Sequence, residues 1–169
     1  MADAKPQGTT VVVEQDAMPS DRWVDFDIAD GEEYSLGCAV DQLGALWCWG
    51  QDATLQARLR PQLGPTEFYA RQRSGPTRVE GVSAARVVAV SRDEVCRADI
   101  DGRVRCVRDD ESKWRTIEGI VDAERIVISE LGGCAIQADR TLRCWSDLNP
   151  ARTLAQDIVD VTMDRTNAC

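Results

Sequence analysis

The cysteine spacing constrains this chain more than anything else in it. Cys38–Cys48, Cys96–Cys106 and Cys134–Cys144 repeat one interval, C-x9-C, and Cys169 opens the same text once more. The flanking residues repeat as well: CAVDQLGALWCWG at 38–50, CRADIDGRVRCVR at 96–108 and CAIQADRTLRCWS at 134–146. Gly81 and Gly119 stand at the same distance ahead of Cys96 and Cys134, so the repeat is longer than the pair. Self-similarity of this kind marks one supersecondary unit stacked on copies of itself. Here the unit reads as a β-hairpin.

Residues 38 and 48 are symmetric about 43, so a three-residue loop at 42–44 sets them opposite each other. Such a loop is commonly a type I turn closed by a left-handed residue, usually Gly. Gly44 and Gly102 occupy that place, and Arg140 occupies it in the third copy, where it fits less well. Side chains alternate along a strand, which puts Cys38, Val40, Leu46 and Cys48 on one face. Cys96, Ala98, Val104 and Cys106 follow in the second hairpin, and Cys134, Ile136, Leu142 and Cys144 in the third. All are apolar, and a slip of one residue would invert every set. Each cysteine pair falls at a non-hydrogen-bonded site, where Cα atoms approach to roughly 4.5 Å, within reach of a disulfide. Three local disulfides are expected, each stabilising by about 2–3 kcal/mol. The alternative is thiols acting as small core hydrophobes.

The chain has 169 residues and 43% hydrophobic content, enough for a core in a single domain. No run approaches the ~20 apolar residues of a membrane helix, so no membrane insertion is expected. No signal peptide is visible, because MADAKPQGTT at 1–10 has no apolar stretch. Paired cysteines imply an oxidising, extracytoplasmic setting: periplasmic, cell-surface or secreted. The net charge is −9, with 29 acids against 20 bases, which argues against nucleic acid as a partner.

The chain has no histidine, which removes Ser-His and Cys-His dyads and the commonest general base. No catalytic residue and no enzyme activity are expected. C-x9-C does not match the short knuckle of a structural zinc site, and no metal or cofactor is expected. DFDIADGEE at 25–33 makes an imperfect calcium loop, with Ala29 at the fifth place, Gly31 one residue late and Leu36 at the twelfth. Arg97, Arg103 and Arg105 share one hairpin face, read as a solvated sheet face rather than an anion site. Acids concentrate in 14–33 and arginines in 51–80, a division that could steer a charged partner.

The domain organisation follows the repeat. Residues 1–22 read as an N-terminal arm with a strand at Val11–Glu14, and 23–169 as one repeat domain. Its units are 23–50, 81–108 and 119–147, with a partial unit at 150–169 and an insertion at 51–80. Val24, Phe26 and Ile28 alternate into the first hairpin; Val87–Val90 and Arg125–Ile128 are the matching strands. In the insertion, Asp52 could cap a helix over Ala53–Arg60 that sets Leu55 and Leu59 on one side. Leu55, Leu59, Phe68, Tyr69, Arg71 and Arg73 are the candidate partner-binding residues, since long loops on rigid scaffolds carry binding. The same residues would alternatively cover a blade edge.

GEEYS at 31–35 leading into CAVDQLGALWCWG, SGPTRVEGVSAARVVAV at 74–90, and CAI…RCW within 134–145 resemble regulator-of-chromosome-condensation repeats. They are most similar to the cysteine-paired extracytoplasmic variety of bacteria, over roughly 23–169. Departures are Val107 and Arg108 in place of Trp-Gly, Ser146 in place of Gly, and the missing His before Cys. The resemblance implies an all-β protein, a β-propeller of four-stranded antiparallel blades. About three and a half blades are supplied here, an incomplete ring or one completed by oligomerisation. The family includes a nucleotide-exchange factor and an inhibitor of a secreted hydrolase, but no site residue of either matches. The expected function is a non-catalytic scaffold that holds another protein or a second copy. Alternatives are an enzyme-associated or inhibitory subunit, or a calcium-assisted binding domain using 25–33. Cys169 is expected to be unpaired or intermolecular.

Overall fold

A computed structural model describes residues 23–30, 35–50, 75–82, 84–111 and 113–163. The arm, its Val11–Glu14 strand, the Ala53–Arg60 helix, the six candidate binding residues of 51–80 and Cys169 all lie outside the described residues.

The described chain is all-β and forms three four-stranded antiparallel blades of a partial β-propeller. Blade 1 contains β1 (Trp23–Asp30), β2 (Ser35–Asp41), β3 (Leu46–Gly50) and β4 (Thr77–Arg78). Blade 2 contains β5 (Ala85–Val90), β6 (Glu94–Asp99), β7 (Val104–Arg108) and β8 (Arg115–Thr116). Blade 3 contains β9 (Ala123–Ser129), β10 (Gly132–Gln137), β11 (Leu142–Ser146) and β12 (Asn149–Ala155). In each blade the strands pair in sequence order, and β1, β5 and β9 lie side by side as the inner strands.

The hairpins carry the expected register. Cys38 faces Cys48, Cys96 faces Cys106 and Cys134 faces Cys144. All three pairs are disulfides, with Cα separations of 4.1, 4.1 and 4.0 Å. Gly44, Gly102 and Arg140 all have positive φ, at 76°, 72° and 63°. The third loop therefore keeps the geometry of the other two without glycine.

Blades stack by one rule. The cysteine face of each blade packs on the reverse face of the next. Leu36, Cys38, Val40, Leu46 and Cys48 of blade 1 meet Val88, Val90, Val95 and Val107 of blade 2. Cys96, Ala98, Val104 and Cys106 then meet Ile126, Ile128, Ala135 and Trp145 of blade 3. Residues 158–163 extend the series: Ile158, Val161 and Met163 pack on Cys134, Ile136, Leu142 and Cys144. Burying each such aliphatic side chain is worth roughly 1.5–3 kcal/mol, so the stack is the principal source of stability.

The structure refines these expectations and corrects one of them. Blades extend past the expected units because each ends in an outer strand. Thr77–Arg78 lies inside the expected insertion 51–80, Arg115–Thr116 between the second and third units, and Asn149–Ala155 across the start of the expected partial unit 150–169. Within 150–169 the pattern resumes at Ile158. Arg97 is not on a solvated face, because the reverse face of blade 2 is covered by blade 1; it is 6% exposed. Finally, 25–30 belongs to β1, and the remainder of the 25–33 segment lies outside the described residues.

Candidate interaction surface

Each hairpin loop locks onto the blade that follows. Ala85 N–H donates to the Gly44 carbonyl and Ile100 N–H to the Ala84 carbonyl. Ala123 to Gly102 and Ala138 to Asp122 repeat the exchange, and Ile158 to Arg140 starts it again. Ala84, Asp122 and Asp157, which precede the donors Ala85, Ala123 and Ile158, are themselves left-handed, at φ 66°, 49° and 57°. Approach is close: a Cβ on Gly102 would stand 2.3 Å from the Asp122 nitrogen. Asp41 fixes the first loop from inside, accepting from Leu43 N, Ala45 N and Trp47 Nε1, each at 2.9 Å.

This rigid rim holds apolar side chains out in water. Leu43 is 90% exposed, Ile100 72% and Val24 55%. All three line a groove of about 440 Å³ between the first two loops, floored by Gly44, Ala84 and Ala85 and edged by Arg86. Exposed apolar side chains clustered on held loops make this rim the candidate interaction surface.

The acids of β1 serve the backbone. Asp25 and Asp27 each accept from the inner edge of β5, from Val88 N and Val90 N at 2.7 Å. Burial raises both carboxyls above their ordinary range despite these bonds. Asp27 also accepts from Ile28 N at 2.9 Å. Asp25 and Asp27 also line a polar cleft of about 370 Å³ with Arg86, Glu124 and Arg125.

Two charged clusters sit at the blade seams. Arg97 stacks on Trp114, 4.4 Å from the ring centroid, and pairs with Asp99 at 3.0 Å. Arg105 bridges Asp99 and Asp101. At the other end of blade 2, Glu94 bonds Arg115, while Arg108 joins Asp93 and, across the seam, Asp147 of blade 3. Burial pushes Glu94 up to about 7. Glu94, Cys96 and Cys106 bring ligand atoms within 4.8 Å of one another, but both sulfurs are spent in a disulfide. The cluster therefore offers a carboxylate and no thiolate to a metal.

Of the expected site residues, the structure places the six paired cysteines, and all serve the core. Sequence reasoning missed Val24, Leu43 and Ile100 as surface candidates. For Leu43 and Ile100 an apolar residue inside a predicted turn was the available signal; Val24 lies in β1 and offered none.

No protein-family model matches the chain, and no curated protein sequence does. Solved structures do. The structure of human WBSCR16 is 17% identical, with a TM-score of 0.58 over 79% of this chain and 41% of that one. A structure of PorZ, an essential bacterial surface component of the type-IX secretion system of Porphyromonas gingivalis, is 12% identical, with a TM-score of 0.53 over 87% of this chain and 18% of that one. Yeast RCC1 (Prp20) bound to Kap60 is 18% identical, with a TM-score of 0.49 over 76% and 35%. The chain thus spans about two fifths or less of the length of these three. At such identities the likeness concerns the fold.

Proposed function

We propose that this chain is a non-catalytic interaction module that holds another protein against the hairpin-loop rim. The carrying observation is the exposed trio Val24, Leu43 and Ile100 around a groove whose walls are hydrogen-bonded from blade to blade. The matching partner feature is one or two apolar side chains with an acidic neighbour for Arg86, an anchor-in-groove arrangement. A yeast structure of dbp5 bound to nup159 and gle1 contains a chain of similar fold, with a TM-score of 0.51, 10% identity and 83% of this chain covered. That likeness supports a binding role at the level of fold alone. Three disulfides suit an oxidising compartment, and the proposed location is extracytoplasmic.

The test is quantitative capture of partners by wild-type chain and by a Leu43→Asp/Ile100→Asp variant. Both side chains are exposed, so melting should change by no more than a degree or two. A stoichiometric partner held by the wild type should be lost with the variant. Equal retention by both moves binding off this rim.

A further inference from the structure

Among the described residues, the stacking rule leaves one face without an occupant. Counting from the fixed register, Phe26 and Ile28 of β1 stand where Val88 and Val90 stand in β5 and Ile126 and Ile128 in β9. In blades 2 and 3 these positions are 3%, 5%, 5% and 9% exposed; Phe26 and Ile28 are 65% and 54% exposed. The remainder of the face matches as well. Gly37 lies beneath the Trp49 ring as Gly133 lies beneath Trp145, and both glycine–tryptophan pairs face each other in the ladder. Trp145 is buried against the cysteine face of blade 2. Trp49 holds the same place on blade 1, half-buried, with Trp23 beside it at 6.4 Å.

The complementary surface is also in the chain. The cysteine face of blade 3 carries Cys134, Ile136, Leu142 and Cys144, the counterpart of what blades 1 and 2 present to their neighbours. Its inner row is covered by 158–163, where Val159-Asp160-Val161 repeats the register of Val24-Asp25-Phe26. Arg125 at the edge of that seat pairs with Asp160 at 3.1 Å. Asp25 occupies the place of Asp160 in β1, so a docked blade 1 brings Arg125 a carboxylate in the same position.

We propose that the reverse face of blade 1 is an interface for a second copy of this chain, which offers the cysteine face of its blade 3. The contact is head to tail, continuing the stack that already joins blades 1, 2 and 3. β1 of one copy takes the place of 158–163 in the other, adding three further strands of cover that 158–163 alone does not supply. A heterologous contact of this kind closes into a ring or propagates, according to its rotation.

Sedimentation of the full chain across a concentration series tests the proposal with opposed variants. Phe26→Asp/Ile28→Asp should weaken association by about tenfold or more, as loss of central anchors does. Val161→Ser, which loosens the resident segment, should strengthen it. A labelled Phe26→Asp/Ile28→Asp chain should still bind wild type, because its blade 3 remains intact; a face-to-face dimer through two copies of blade 1 would exclude it. Retained melting in each variant shows that the fold persists. A wild-type monomer throughout, or a Phe26→Asp/Ile28→Asp chain that neither self-associates nor joins wild type, overturns the proposal. Rim variants at Leu43 and Ile100 should leave this association unchanged, so the two surfaces fail separately.

Discussion

Single residues here answer to their neighbouring blade as much as to their own strand. Gly102 has φ 72° and would push a Cβ into the Asp122 backbone, whereas Gly81 has φ 70° and open space around it. Gly81→Ala should cost about 1 kcal/mol, the left-handed penalty alone. Gly102→Ala carries that penalty plus the displacement of blade 3, and denaturant midpoints should separate the two by about 1–3 kcal/mol. Equal losses would mean the loop lock is slack. Glu94 makes the pH dependence readable. Burial lifts its carboxyl from 4.5 to about 7, so between those values the folded chain holds a proton that the unfolded chain has released. That contribution is fully present below pH 4.5 and is lost as pH rises through 7. It amounts to an order of 3 kcal/mol across the window. Glu94→Gln should flatten the fall in midpoint from pH 4.5 to 7, and an undiminished slope would remove Glu94 as its source.

At the scale of the element, the hairpins were legible because three signals coincided: symmetric cysteines, a turn residue at the left-handed place, and an apolar face of period two. Arg140 lacks the glycine yet adopts φ 63°, because Ile158 bonds its carbonyl from the next unit. The outer strands were not legible. β4 and β8 have two residues each, too few for any periodicity, and they exist because a third strand offers them an edge. The environment of Arg97 was hidden for a related reason. A polar residue on a sheet face reads as solvated until another blade is known to cover it, and Trp114 and Asp99 are what make burial tolerable. β1 misleads in the opposite sense, since its apolar residues point outward and its acids point at β5. The disulfides give this scale its prediction. Each closes ten residues of separation, and replacing Cys96 and Cys106 together by Ala should lower stability by about 2–3 kcal/mol. Unreduced peptide maps should recover three local pairs; crossed pairs would refute the hairpin register itself.

The whole molecule behaves as a short one-dimensional stack, in which each blade draws stability from the faces its neighbours cover. Among the described residues, blade 2 is covered on both faces, blade 1 on its cysteine face, and blade 3 on its reverse face with 158–163 over part of the other. β2, β6 and β10 are equivalent strands, each flanked by two hydrogen-bonded neighbours and each spanned by a disulfide. Local structure alone would therefore give them equal protection from amide exchange. The stack predicts otherwise. In dilute solution, where copies are apart, β6 should exchange slowest, because exposing it requires both seams of blade 2 to open. β2 and β10 should exchange faster, each needing one principal seam to open, and the largely exposed β12 faster still. Exchange followed by mass spectrometry on peptides covering these strands decides the matter. Uniform protection of β2, β6 and β10 would show that blades open independently and that the seams carry little of the stability. A graded order, with β2 rising toward β6 as concentration increases, would show the seams at work and a second copy arriving at the face that blade 1 leaves open.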